Sequence, residues 1–389
     1  MKKVLILGGG FAGVEVAIYL RKQGVDTTLI SDRDYLYIYP ISIWIPTGET
    51  TVDNVSIPLE KLAKRHGFNL IVDAVTKFEA KDKRVTLASG KVIDDFEYIV
   101  VAIGQDKIKL KGIENSLSIC GKPEEAVELN RRLEELVKKG SGKIAMGFGG
   151  NPKDTSAVRG GPAFEVLFNV HNFLKKKGLR DKFELTFFAP MEKPGQKMGD
   201  KALVMMDKMF GMTNINKKVG SKIVEFEKDG IKFEDGTKLE SDLTMFISAG
   251  KGHHILEKSG LPISEAGFVM TNEYNEIDGF DGIYAIGDSA SLMGPKWRAK
   301  QGHVAEVMAR NVAYNIFQKM QNINSKHSYL DHINILCVMD TGDGAAFVYR
   351  SDSSAKMIPM PIIGHCIKKG WGWYYKNSKL GKIPRIPGM

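Results

Sequence analysis

Cysteine is scarce in this chain: 389 residues hold only Cys120, Cys337 and Cys366, far apart and with no CxxC among them. That argues against a disulfide-stapled secreted scaffold and a structural zinc site, and excludes CxxCH haem attachment. Long hydrophobic runs are missing too. No stretch approaches 18 consecutive apolar residues, so no transmembrane helix is expected. The opening MKKVLILGGGFAGVEVAIYL places two lysines before an apolar segment, but three consecutive glycines interrupt it. A strand and turn fit that pattern better than a signal peptide. The 41 glycines are scattered, as tight turns and close backbone approaches require, and are not gathered into linkers. What remains is the balance of a globular chain, 43% hydrophobic and 26% charged, long enough for two or three domains.

One sign of charge is missing from the end of the chain. Between Ser353 and Met389 stand seven lysines or arginines and no aspartate or glutamate, which leaves only +2 of the net +9 for everything before it. The same stretch carries Trp371, Trp373, Tyr374 and Tyr375 among Lys368, Lys369, Lys376, Lys379 and Lys382. Aromatic rings favour the headgroup boundary, and lysines attract anionic lipid at about 1 kcal/mol each. The expectation is a peripheral contact with a membrane surface, the cytoplasmic membrane of a prokaryote, on a side the sequence leaves open. Packing on the chain's own core or against a second copy is the alternative. Nucleic acid is not an expected partner, because no helix-turn-helix, zinc-finger or RRM signature accompanies the basic tail.

Short apolar runs alternate with amphipathic segments, the pattern of an α/β protein. Strands are expected at Val4–Leu7 and Thr27–Ile30 around a helix from Gly13 to Gln23. A β-rich stretch covers Asn69–Phe78 and Arg84–Leu87, followed by the apolar strand Tyr98–Ile103. A helix from Pro123 to Lys139 opens a second unit, with strands Lys143–Met146 and Glu184–Phe188 flanking a helix from Pro162 to Lys177. The doublet GIKFEDGTKLE reads as a hairpin turning at Asp235-Gly236, ahead of a strand at Leu243–Ser248. After Gly282 come a short strand, a Gly-Asp pair and a helix from about Gly302 to Gln318. The expected architecture is two Rossmann-like dinucleotide-binding domains, the first discontinuous over residues 1–108 and 265–325, the second over 109–264. A membrane-facing C-terminal segment spans 326–389.

Gly8-x-Gly10-x-x-Gly13 lies directly between a predicted strand and helix. In that place the first glycine permits the tight turn, the second lets the backbone approach a pyrophosphate, and the third lets helix and strand pack closely. The helix N-terminus then faces the negative diphosphate. The ribose partner expected at the end of the next strand is Ser31 or Asp32, the latter 19 residues beyond Gly13. Two later glycine-bearing turns follow apolar strands in the same way. One is YIVVAIG, with Ala102 and ending at Gly104; the other is IYAIGDSA, with Gly287 and Asp288 at an expected strand-to-helix junction.

With these three turns in this order, the chain resembles the FAD-dependent pyridine nucleotide-disulfide reductase superfamily. The stretches SLSICGKPEEA, GGPAFEVLFNVHNFLKKKGLRDK, AKQGHVAEVMARNVAYNI and ILCVMDTGDGAAF narrow the likeness to sulfide:quinone oxidoreductases and flavocytochrome c sulfide dehydrogenase flavoprotein subunits. The resemblance runs over nearly the whole chain, and the GDGAAF turn after Cys337 is its most specific part. It implies FAD as cofactor, sulfide or a small sulfur compound as donor, quinone as acceptor, and self-association as an open question. Asp288 would hold the ribityl chain, with Pro40, Val75, Ala102 and Gly104 completing the flavin environment. Lys300, beside Gly302, would stabilise the charge that reduction places on the ring. Cys337 matches the family's third cysteine and Cys120 its first. The second should precede Gly160-Gly161-Pro162, where this sequence has Ser156, Ala157, Val158 and Arg159, so Cys337 has lost its expected partner. Two alternatives stand beside this reading. A type II NADH dehydrogenase-like enzyme would need an unbroken second glycine loop, whereas NPKDTSAVR follows Gly147-x-Gly149-Gly150. A non-enzymatic FAD-binding partner protein is the other.

Glu165, three residues after Pro162, is a candidate acid or base near the flavin, or a core-facing carboxylate. His253-His254 lacks a third or fourth ligand at suitable spacing, and no metal site is expected.

Overall fold

The structure, a computed structural model, describes residues 2–385; Met1 and residues 386–389, the end of the basic tail, lie outside the described residues. Lys3–Leu7 forms a strand whose apolar residues are buried on both faces, as a central parallel strand must be. It pairs in parallel with Asp26–Ser31 on one side and Tyr98–Val101 on the other. The full sheet runs Ile283–Ala285, Tyr98–Val101, Lys3–Leu7, Asp26–Ser31, Asn69–Val72. The late strand Ile283–Ala285 therefore returns to the N-terminal sheet, in parallel register with Ile99–Val101.

A second parallel sheet orders Asn216–Val219, Phe183–Ala189, Gly142–Phe148 and Leu243–Ile247. Its helix Gly161–Lys176 buries Phe164, Val166, Leu167, Phe168, Val170 and Leu174. Phe148, Phe164, Phe187 and Phe210 pack there as an aromatic cluster with ring centroids 4.7–6.2 Å apart. The expected hairpin is present, Gly230–Phe233 against Lys238–Glu240, with Gly236 at φ +80° in its turn. The helix from Pro123 to Lys139 has the expected bounds. The strand-to-helix junction expected at Gly287-Asp288 is corrected: those residues form one short 3-10 turn, Gly287–Ser289, and the long helix begins only at Gly302.

The C-terminal segment is not a loose tail. It forms an antiparallel sheet of Ile335–Asp340, Gly344–Arg350 and Ala355–Pro361, followed by a helix, Ile363–Lys379. Gly364, Lys368, Gly372, Tyr375 and Lys379 recur at helical spacing and are buried. A Cβ on Gly372 would lie 2.7 Å from Ile41 Cγ2, and one on Gly364 would lie 2.5 Å from Ala345 Cβ, so the helix seats where only glycine fits. The opposite face, with Ile363, Cys366, Ile367 and Trp373, is exposed. No described helix is long and apolar enough to cross a membrane.

Candidate functional site

The C-terminal ends of both parallel sheets meet the C-terminal sheet and helix around a cavity of about 2190 Å³. That is more than twice the roughly 300–1,000 Å³ of an ordinary small-molecule pocket. It lies outside the carboxyl ends of the strands, where open α/β sheets bind ligands.

At one end, the turn after Lys3–Leu7 is set by glycine sterics. Gly8 has φ +112°, and a Cβ there would stand 2.3 Å from Ala102 O; a Cβ on Gly13 would stand 1.8 Å from Gly8 O. Gly10 has nothing within 4 Å and faces the cavity. Asp32 is on the cavity wall, whereas Ser31 is buried behind it, its Oγ accepting the Arg33 N–H at 3.2 Å. Pro40, Ala102, Gly104 and Gly287 also line the cavity; Gly13 and Val75 do not. Val75 lies instead in the antiparallel strand Val75–Glu79, which pairs with Arg84–Leu87.

Asp288 reaches the cavity, but its Oδ2 is engaged by the Arg159 guanidinium. Arg159, in the stretch Ser156–Arg159 where the resemblance expects a cysteine, is half-buried, its Nε buried and unpartnered. Lys300 is buried; its Nζ donates to the carbonyls of Asp288, at 3.2 Å, and Ala290, and lies 3.9 Å from the Phe268 ring centroid. Burial lowers the pKa of Lys300 to about 8.

Cys337 sits in the strand Ile335–Asp340 and lines the cavity. Burial, reinforced by the Glu165 carboxylate and opposed by Lys368, pushes its thiol up to about 12. Cys120 is buried on the same cavity, its thiol raised by burial against the pull of Lys107 and Arg159. Cys366 is exposed and outside the cavity, so it is not a second thiol for this site. Glu165 is buried at the cavity wall, accepting the Asp340 N–H at 2.8 Å and the Lys368 ammonium, which also donates to Val338 O at 2.9 Å. Burial raises its pKa, with Lys368 acting against the shift.

Several contacts at and beside the cavity escaped the sequence reading. Tyr375 stacks on Phe11 of the glycine turn, ring centroids 5.3 Å apart, and donates to Glu306 Oε1 at 2.7 Å. Lys379 joins the buried Glu15 and Glu306, and Arg385 Nη2 meets Glu15 Oε1 at 2.5 Å. Lys368 and Lys379, expected to face lipid, are therefore internal counter-ions. The helical spacing of Gly364, Lys368, Gly372, Tyr375 and Lys379 was the available signal, but two lysines on that face made it read as polar.

The segment between the second glycine turn and its helix bridges the two sheets. Ala157 packs with Ala266 and Phe268, Ser156 O accepts the Lys300 N–H at 2.9 Å, and Lys197 Nζ donates to Thr155 O and, at 2.8 Å, to Arg298 O.

A two-sheet dinucleotide fold with its ligand space at the strand ends is the framework of a flavin-linked oxidoreductase, and the chain belongs to the pyridine nucleotide-disulphide oxidoreductase family, whose model matches residues 2–309. It is an FAD-dependent oxidoreductase. Among curated relatives it is similar to a sulfide-quinone reductase of Aquifex aeolicus, 28% identical, covering 97% of this chain and 89% of the relative. A type II NADH:quinone oxidoreductase of Staphylococcus epidermidis is 24% identical, covering 91% and 92%. The crystal structure of the Aquifex aeolicus sulfide:quinone oxidoreductase superposes with TM-score 0.87 at 25% identity, covering 98% of this chain and 92% of that one.

The residues present fit FAD. Gly8, Gly10 and Gly13 leave a side-chain-free cradle at a helix N-terminus, open where Gly10 faces the cavity. Asp32 would meet the ribose, and Asp288 and Lys300 flank the space beyond Gly287. When bound, FAD supplies two-electron chemistry.

Proposed function

We propose that this oxidoreductase takes electrons from sulfide or a related small sulfur compound and delivers them through FAD to a quinone. The observation that carries this reading is the Cys337 thiol on the wall of the same cavity as the dinucleotide turns, in a chain similar along almost its whole length to a sulfide-quinone reductase. With no cysteine among Ser156, Ala157, Val158 and Arg159, Cys337 acts without the expected second thiol. A thiol and hydrogen sulfide become a persulfide with loss of two electrons and two protons, and a quinone becomes a quinol by taking up two of each. Burial keeps the resting Cys337 thiol neutral, and Lys368 is the cation beside it when it ionises. Lys300, its pKa lowered by burial to about 8, can hold or release a proton at Nζ within the cavity.

The NADH reading is less well supported, because residues 151–160 separate the second glycine turn from the helix Gly161–Lys176 and make contacts with Phe268 and Lys300 on the way. A passive FAD-binding role leaves the Cys337 site without a use. In this reading residues 1–108 with 265–325 hold FAD, 109–264 form a second Rossmann-like domain, and 326–389 serve the quinone. Ile362, Ile363, Ile367 and Trp373, all exposed, give the C-terminal helix an apolar outer face for the surface of a prokaryotic cytoplasmic membrane, from which a quinone enters. Self-association through this face is the competing use of the same residues.

Anaerobic stopped-flow bleaching tests the proposal. Sulfide should reduce the flavin rapidly and saturably and NADH poorly. Fast saturable bleaching by NADH, with none by sulfide, would overturn it.

A further inference from the structure

Two connections join the parallel sheets. The chain leaves the first through Gln105–Lys107 and returns from the second through Gly250–Gly252, and these segments pair antiparallel, with Asp106 opposite Lys251. The return strand runs straight into His253 and His254, which brings both imidazoles onto the carboxylate of Asp106 on the other connection. One ligand-type atom from each of the three residues lies within 4.8 Å of the others. His254 Nδ1 is 2.9 Å from Asp106 Oδ2, and His253 Nε2 is 3.8 Å from Asp106 Oδ1. The two rings stack with centroids 4.5 Å apart and planes inclined by 25°.

These distances suit a metal. Zinc binds nitrogen and carboxylate oxygen at about 2.0–2.2 Å, so neighbouring donors of a tetrahedral site stand about 3.3 Å apart. The separations of 2.9 Å to Oδ2 and 3.8 Å to Oδ1 stand on either side of that value, the shorter being a His254–carboxylate hydrogen bond that ligation would replace, and one donor atom from each residue lies within 4.8 Å of the others. Ligation through His253 Nε2 places the ring proton on Nδ1, so the 3.4 Å contact from the Ile255 N–H is given up.

We propose that Asp106, His253 and His254 form a three-ligand site for a first-row divalent cation of the zinc class, with a fourth position open to water. The ion would clamp the outward connection to the return connection and so restrain the two sheets relative to each other. It would also place positive charge at the cavity rim, because Asp106 and His253 line the cavity while His254 faces solvent. The site needs no particular electron donor, so it stands or falls independently of the function proposed above.

The test uses the full-length flavoprotein, stripped with chelator and titrated with Co²⁺, then Zn²⁺. One equivalent of Co²⁺ should bind with d–d bands beyond the flavin absorption and no thiolate charge-transfer band, and Zn²⁺ should displace it. His254→Ala, at an exposed position, and Asp106→Asn should each weaken binding at least tenfold while flavin content stays the same. Zn²⁺ should raise the thermal midpoint of the parent protein and not of His254→Ala. Absence of saturable Co²⁺ binding, or binding that both variants leave unchanged, would overturn the site. A thiolate charge-transfer band would do the same, by placing the metal on a cysteine.

Discussion

The glycine turn at Gly8–Gly13 and the helix Ile363–Lys379 wall the same cavity and touch through Phe11 and Tyr375, but they are held in place by different forces. The turn is fixed by backbone packing so close that a Cβ on Gly8 or Gly13 would meet a carbonyl oxygen at 2.3 or 1.8 Å. The helix is fixed by buried charge: Lys379 between Glu15 and Glu306, and Lys368 on Glu165. A site built on missing side chains tolerates no addition, whereas one built on paired charges tolerates no subtraction. Removing one member of a buried pair strands the other, at about 3–5 kcal/mol, although exchanging both for apolar residues can be nearly neutral.

The comparison breaks most visibly at Lys379. Lys379→Met should destabilise the protein by about 3–5 kcal/mol, read as a lowered denaturation midpoint. Adding Glu15→Gln should restore part of the loss; a double variant no more stable than the single would mean the pair is not coupled. Next comes Gly10, the one glycine of the turn with open space around it. Gly10→Val should leave the thermal midpoint of the flavin-free protein nearly unchanged and weaken FAD binding roughly 100-fold, about 2.8 kcal/mol. Retained flavin in that variant would place the pyrophosphate elsewhere.

A third test concerns Cys337. Because burial and then Glu165 push its thiol up to about 12, alkylation should be slow at neutral pH and quicken with each unit of rising pH toward that value, while the exposed Cys366 reacts first. Glu165→Gln removes the repelling carboxylate and leaves Lys368 in place, so Cys337 should react roughly threefold to tenfold faster at neutral pH. Slower reaction would reverse the assigned sign. The smallest effect belongs to Trp373, on the outer face of the helix. Trp373→Ala should change stability by less than about 0.5 kcal/mol and weaken binding to anionic vesicles a few-fold. Unchanged vesicle binding with a changed oligomeric mass would assign that face to a second copy.

Much of the first sheet could be read directly. Val4–Leu7 is continuously apolar, Gly8, Gly10 and Gly13 follow at once, and the second unit repeats the strand–helix alternation. The return of Ile283–Ala285 to the first sheet was legible from the third glycine-bearing turn. The C-terminal helix was legible only in part, since its basic and aromatic residues read as membrane-facing, whereas Lys368 faces Glu165, Tyr375 faces Glu306, and Lys379 faces Glu15 and Glu306. Asp288 lines the cavity, and its pairing with Arg159, 129 residues away, was not readable. The third partner of His253 and His254 was hidden in the same way, because Asp106 lies 148 residues from His254.

The sequence by itself determined what depends on neighbours along the chain: where strands and helices start, which turn must be glycine, and that a dinucleotide-binding α/β chain results. Steric exclusion and periodicity are local, acting over a few residues, so they are written in order. The tertiary structure alone decided which charges are buried, which of three cysteines share the cavity, and which carboxylate each lysine meets. Burial and Coulomb pairing depend on distance in space, and Lys379 finds Glu15 across 364 residues only after the sheets and helices have packed.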